Sequence, residues 1–187
     1  MKKAVIAMGI LLASQAALAD STTYTIDPHH CFPIFSVSHL GLSTQRGRFD
    51  DTTGTVTLNM AKHSGSVDLT IKTQSLDMGF AEWNEHVGNG FFKNKEFPTI
   101  TYHSDKLVFA GDKVVGADGT LTMLGVSKPL HVTVNNFKCT EHPMAHKPVC
   151  AGNITATIKR SDYGMMAYLP MIGDEVSIKV PVEAIQN

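Results

Sequence analysis

From residue 24 onward, apolar side chains recur at every second position through one short run after another. The clearest runs are Val56/Leu58/Met60, Val67/Leu69/Ile71, Leu121/Met123, Leu130/Val132/Val134, Ile154/Ala156/Ile158 and Val176/Ile178/Val180/Val182. A period of two is that of a β-strand with one dry face and one wet face. Thr, Ser, Asn, Asp and Lys fill the intervening positions, as a half-buried antiparallel sheet requires. Weaker runs at Tyr24/Ile26, Phe35/Val37, Ile100/Tyr102 and Leu107/Phe109 bring the expected strands to eight or more. Asp51-Thr52-Thr53-Gly54, His63-Ser64-Gly65, Gly111-Asp112 and Asp118-Gly119 read as hairpin turns between runs. Connections this short favour sequential pairing, and half-apolar strands must either close or stack. The expected fold is all-β: an eight-stranded antiparallel up-and-down barrel, whose interior has room for a small ligand.

Two stretches break the period. Phe80 to Phe92 carries Ala81, Trp83, His86 and Val87 at spacings of three and four, which predicts a short helix ending near Gly88 and Gly90. Tyr163 to Gly173 concentrates Met165, Met166, Tyr168, Leu169 and Met171 in an irregular segment. These elements read equally as lids over a barrel opening or as plugs of its core.

The first residues read differently. Lys2 and Lys3, an apolar stretch from Ala4 to Ala13 and Ala17-Leu18-Ala19 match a secretory signal peptide over residues 1–19, cleaved after Ala19. The apolar core is too short to span a bilayer, which takes about 20 residues. The expectation is a periplasmic protein with one domain over residues 20–187. Loss of Lys2 and Lys3 takes the formal charge from -1 to -3, and no basic run suggests nucleic acid as a partner.

Motifs for chemistry are scarce. The chain has no G-x-S-x-G, C-x-x-C, phosphate loop or H-E-x-x-H. Glu82-Trp83-Asn84-Glu85-His86 lacks the second histidine of a zinc protease, so no enzymatic activity and no catalytic residue are expected. Cys139 and Cys150 close a short loop and, in an oxidising compartment, pair as a disulfide; the rival reading adds His142 and His146 to make a zinc site. The disulfide is favoured, with no metal site, and Cys31 is left as a small buried hydrophobe. His39 shares strand parity with Phe35 and Val37, which suits either a satisfied core histidine or a polar fixture in a pocket.

Taken in order, several segments together resemble the YceI-like family of exported proteins, described as polyisoprenoid-binding and lipocalin-like. They are Asp27-Pro28-His29-His30, Phe35-Ser36-Val37-Ser38-His39-Leu40-Gly41, Gly47-Arg48-Phe49, Asp68-Leu69-Thr70-Ile71, His86 with Phe91-Phe92, Phe97-Pro98-Thr99-Ile100-Thr101-Tyr102 and Gly119-Thr120-Leu121-Thr122-Met123-Leu124-Gly125-Val126-Ser127-Lys128-Pro129. Cys31 departs from the family's usual Ser, and Phe91-Phe92 follow His86 one residue sooner than the family pattern. The resemblance implies a lipocalin-like barrel that carries an isoprenoid-tailed lipid, such as a quinone or polyprenyl phosphate, or a similar long-chain amphiphile, with no covalent cofactor. It places His30, His39 and His86 at family histidine positions. The expected lining is Phe35, Val37, Phe49, Phe80, Trp83, Tyr102, Met123, Tyr163, Met165 and Met171, with His30, His39 or Arg48 orienting a head group. Two rival functions are an accessory protein docking on a membrane cytochrome or stress-response partner, and an exported zinc-binding protein. A homodimer is compatible with the family.

Overall fold

The computed structural model describes residues 21–187; the expected signal peptide and the cleavage point after Ala19 lie outside the described residues. Eleven strands form one antiparallel sheet: β1 (Thr22–Ile26), β2 (Ile34–His39), β3 (Ser43–Phe49), β4 (Thr52–Asn59), β5 (Ser64–Lys72), β6 (Leu76–Asp77), β7 (Thr99–Ala110), β8 (Lys113–Met123), β9 (Val126–Glu141), β10 (Pro148–Lys159) and β11 (Ile172–Gln186). Eight of them close a ring in the order β1-β4-β5-β7-β8-β9-β10-β11 and back to β1. The expected barrel is therefore the fold, and its alternating apolar faces converge on one core.

Two excursions leave the meander. β2 and β3 form a hairpin inserted between β1 and β4, and β6 with helix α1 (Ala81–Val87) is inserted between β5 and β7. β6 pairs with β3, so both excursions lie together. β11 joins them to the barrel: Ala184–Gln186 pairs with β1, whereas Ile172–Lys179 pairs with β2. Pro181, which has no N–H to offer a neighbour, falls between these two pairings.

Bulges account for the places where the alternation changes parity. In β7 the apolar track passes from Ile100 and Tyr102 to Leu107, because the register against β8 shifts between His103 and Lys106. The Ser104 hydroxyl accepts the Lys106 N–H at 3.0 Å and donates to the Asp118 carbonyl at 2.8 Å, so the buried bulge leaves no orphaned donor there. What reads as two runs is thus one strand. Asp118-Gly119 is not a turn but lies within β8, and the turn into β9 is at Leu124-Gly125. Glycine serves another purpose at 119: a Cβ there would lie 2.6 Å from the Tyr102 ring, so its absence lets that ring cross the interior.

Cys139 and Cys150 sit opposite one another on β9 and β10 and are joined as a disulfide. Their thiolates are therefore not free for the rival zinc site. His142 Nδ1 accepts N–H bonds from Met144 and Ala145, and His146 Nδ1 lies 3.3 Å from Glu141. Among the described residues no group of three or more His, Cys, Asp or Glu side chains is arranged to hold a metal ion.

Cys31 is fully buried, and burial, with a smaller contribution from the Asp27 charge, pushes its thiol up to about 12. A group with its pKa raised from 9.0 stays protonated, and hence unreactive, at pH 8 while the chain is folded. Titration with a thiol reagent at that pH should find no reactive thiol in the native protein, one after denaturation, and all three after denaturation with reductant.

Candidate functional site

The barrel interior is not filled. β10 presents Cys150, Gly152, Ile154, Ala156 and Ile158 inward, and β11 presents Ala184, Val182, Val180, Ile178 and Val176 opposite them in register. With Leu58 and Ile71, Tyr102 and Leu121, and Val132 among the facing side chains, they enclose a cavity of about 210 Å³. Its walls are apolar except at Tyr102 and Arg160, so it suits an aliphatic occupant and not water. The inward residues of β10 that line it, from Cys150 to Ile158, cover about 26 Å at the usual strand rise. This geometry describes a long, narrow slot.

A second cavity of about 350 Å³ abuts the first and shares Phe35, Phe92, Arg160, Met165 and Val176 with it. The two together reach the range of small-molecule pockets, about 300–1,000 Å³. The outer cavity is built by the excursions. Trp83, His86 and Val87 lie on one face of α1 by their spacing, and the π-helical turn Gly88–Phe92 carries Phe91 and Phe92. β2 adds Phe35, Val37 and His39, and the segment before β11 adds Tyr168 and Met171. Phe35 crosses Gly47 on β3, where a Cβ would lie 2.5 Å from its ring, so glycine sets how deeply Phe35 settles. Rings then meet in sequence: Phe35 to Phe92 at 5.7 Å, His86 to Phe91 at 6.0 Å, Phe91 to Tyr168 at 5.8 Å and His39 to Trp83 at 6.4 Å. Leu40, Phe80, Tyr168 and Met171 stand about half exposed around this mouth.

Arg160 occupies the neck between the cavities and is only 2% exposed. Its Nε donates to the Gly173 carbonyl at 2.8 Å, Nη1 to Met165 at 2.6 Å, and Nη2 to Ala167 at 3.0 Å and Ile172 at 2.8 Å. The guanidinium carbon also lies 5.7 Å from the centre of the Phe91 ring. One buried cation thus holds the Met-rich segment in place by its carbonyls. Burial presses the guanidinium pKa downward, with the Asp174 charge opposing. Asp174 itself accepts from the backbone N–H and hydroxyl of Ser161.

Tyr102 is the other polar fixture. Its hydroxyl lies 3.1 Å from the Ala117 carbonyl and 3.2 Å from that of Leu130, and burial pushes its pKa up to about 12.

Of the expected site residues, the structure gathers Phe35, Val37, His39, Trp83, His86, Met165 and Met171 at the outer cavity, and Tyr102 and Met123 in the inner one. Phe49 stands behind the lining, packed edge-on against Phe92 at 5.1 Å. Tyr163 is buried beside Arg160 in the chain and lines neither cavity, and Phe80 flanks Trp83 from outside at 5.5 Å. His30 and Arg48 lie away from both cavities: His30 bonds Asp27 at 2.8 Å, which raises the His30 pKa, and Arg48 bonds Asp50 at 2.8 Å. Arg160 escaped the sequence reading, although extending the Ile154/Ala156/Ile158 alternation by one step lands on it.

Comparison with known proteins agrees with this geometry. A family model described as YceI-like domain matches residues 24–184. A UPF0312 protein of Pseudomonas aeruginosa is 34% identical over 191 residues, covering 98% of this chain and 97% of that protein. Among solved structures, BcnA of Burkholderia cenocepacia has a TM-score of 0.70 at 23% identity, covering 84% of this chain and 98% of that one. A polyisoprenoid binding domain from Saccharophagus degradans has a TM-score of 0.63 at 17% identity, covering 89% of this chain and 99% of its own. Both share the fold.

Replacing Arg160 with Met should release the four carbonyls it holds. The expected cost is about 2–3 kcal/mol in chemical denaturation, on the scale of hydrogen bonds to a charged group. Hydrogen exchange should quicken in residues 165–173 while β7 to β10 keep their protection.

Proposed function

The chain belongs to the YceI-like domain family, and from that premise we propose that it is a periplasmic carrier that sequesters an isoprenoid-tailed lipid, its tail in the barrel and its head at the mouth. The observation that carries this reading is the dry slot along β10 and β11, open towards a wider aromatic mouth. A tail entering such a slot gains about 0.8 kcal/mol for each CH₂ removed from water, less the cost of ordering the chain. The likeness in fold to a polyisoprenoid binding domain supports an isoprenoid as occupant. The Lys2-Lys3 start, the apolar stretch and Ala17-Leu18-Ala19 support export. The Cys139–Cys150 disulfide supports an oxidising compartment. The function we propose is binding without chemistry, by residues 20–187 acting as one domain.

Trp83 is the single tryptophan of the chain and stands at the mouth, so its fluorescence reports occupancy. Titrating delipidated protein with a prenylated quinone should shift Trp83 emission saturably, and native mass spectrometry should show one lipid per chain lost on solvent extraction. A flat titration with no co-purifying lipid would count against the carrier. Filling the slot with Ala156→Phe should weaken binding of a long isoprenoid more than tenfold and that of a two-isoprene analogue much less, since Ala156 lies two positions inside Ile158 along the lining. Equal losses for both would mean that the tail lies elsewhere.

A further inference from the structure

We propose that Arg160 is a headgroup-recognition residue, and that the preferred occupant is a long-chain amphiphile whose head is an oxyanion, a carboxylate or a phosphate. The proposal rests on the tail-sequestration reading and narrows it to one class of head.

Position is the first argument. Arg160 is the first residue after β10, in the 3-10 turn Arg160–Tyr163, two positions beyond the inward Ile158, and it lines both cavities where the narrow slot gives way to the wider mouth. An amphiphile with its tail in the slot brings its head to this neck. The walls of the two cavities include no Asp or Glu; their charged or chargeable side chains apart from tyrosines are Arg160, His39 and His86. Arg160 is the one permanently charged side chain of these walls, and the Asp174 carboxylate acts on it from outside the lining.

Charge accounting is the second. Among the described residues no salt bridge includes Arg160; the Asp174 carboxylate, which accepts from Ser161, acts on the guanidinium through space and offsets only part of its charge. The guanidinium is met by four carbonyls, which are dipoles and leave its unit charge in place. A buried cation is stabilised most by an anion brought into the same dry space. Four of its five N–H groups are committed to these carbonyls, leaving one on Nη1 to meet a ligand oxygen. A charge-assisted bond of this kind is about twice as strong as one to a neutral acceptor. An oxyanion head therefore gains over an alcohol or a quinone carbonyl on the same tail, and an ammonium head loses.

The test uses the whole delipidated mature protein and Trp83 fluorescence, with matched probes: palmitate, hexadecanol and hexadecylamine, then farnesyl phosphate against farnesol. Palmitate and farnesyl phosphate should bind at least about tenfold more tightly than their alcohols, with the amine weakest. Whichever pair shows the larger ratio identifies the oxyanion favoured. The ratio should hold from pH 6.5 to 8.5, because the guanidinium keeps its charge. The other titratable groups at the mouth are His39 on β2, His86 on α1 and Tyr168, with Asp174 beside the arginine. A ratio that decays as the pH rises through the histidine range would assign the head to His39 or His86 and overturn the proposal. Equal binding of acid, alcohol and amine would overturn the headgroup assignment alone; failure of every probe to bind would overturn the tail reading and this proposal with it. In Arg160→Gln, whose native fold is checked by circular dichroism, the acid should fall to the affinity of the alcohol. The headgroup series on the unaltered chain keeps the test decisive if that variant does not fold.

Discussion

The molecule depends on the divided edge of β11. Along one side this strand pairs with β10 from Glu175 to Ile185; along the other it pairs with β1 at its end and β2 at its beginning. The first pairing closes the barrel and removes the exposed edges that an open sheet would present. The second fastens the β2–β3 hairpin to the same wall. Because one strand performs both tasks, the mouth is an extension of the barrel wall, with a register shift between Ile172 and Val176 where β11 passes along β2. Leu40 donates its N–H to the Met171 carbonyl at 2.7 Å, which ties the tip of that hairpin to the segment leading into β11.

Room for a ligand follows from side-chain size along this wall. An eight-stranded barrel is just wide enough for its own side chains to fill it. Here the inward positions include Ala117, Gly119, Gly152, Ala156 and Ala184 among the β-branched residues, and small side chains do not meet across the axis. Tyr102 takes up the space over Gly119 and anchors its hydroxyl to strand carbonyls. Phe49 supports the lining rings Phe35 and Phe92 at the neck from behind. Emptiness in the barrel and crowding at its mouth arise from the same alternation, read at different residue sizes.

That alternation made the barrel legible, and its limits explain what was missed. β3 is Ser-Thr-Gln-Arg-Gly-Arg-Phe, with only Gly47 and Phe49 buried, so it lacks an apolar run to announce it. Its pairing with β2 is fixed by backbone bonds and by the fit of Phe35 over Gly47, neither of which has a period. Asp118-Gly119 has turn chemistry, but its glycine makes space for a ring from the neighbouring strand, a non-local reason that local reading does not contain. Periodicity also says which face a residue takes and not which end of the barrel it reaches. His39 and His86 meet at the mouth because hairpin and helix converge there, whereas His30, on the loop after β1, meets Asp27 and solvent.

Arg160 is the point at which stability and function part. A buried charged group can often be replaced by an apolar one of similar volume without loss, provided that its partners are replaced too, so retaining a cation in a greasy neck is weak as a device for stability alone. Its partners here are carbonyls of the segment that walls the mouth. The charge therefore specifies a path for the chain between β10 and β11, and that path defines the opening through which any occupant must pass. A group that both shapes the opening and presents a donor to it couples the order of the mouth to its occupancy. Whatever binds the remaining N–H stabilises the arrangement of the loop, and whatever disorders the loop lowers affinity for the head, because the two effects are the same free energy measured from either side.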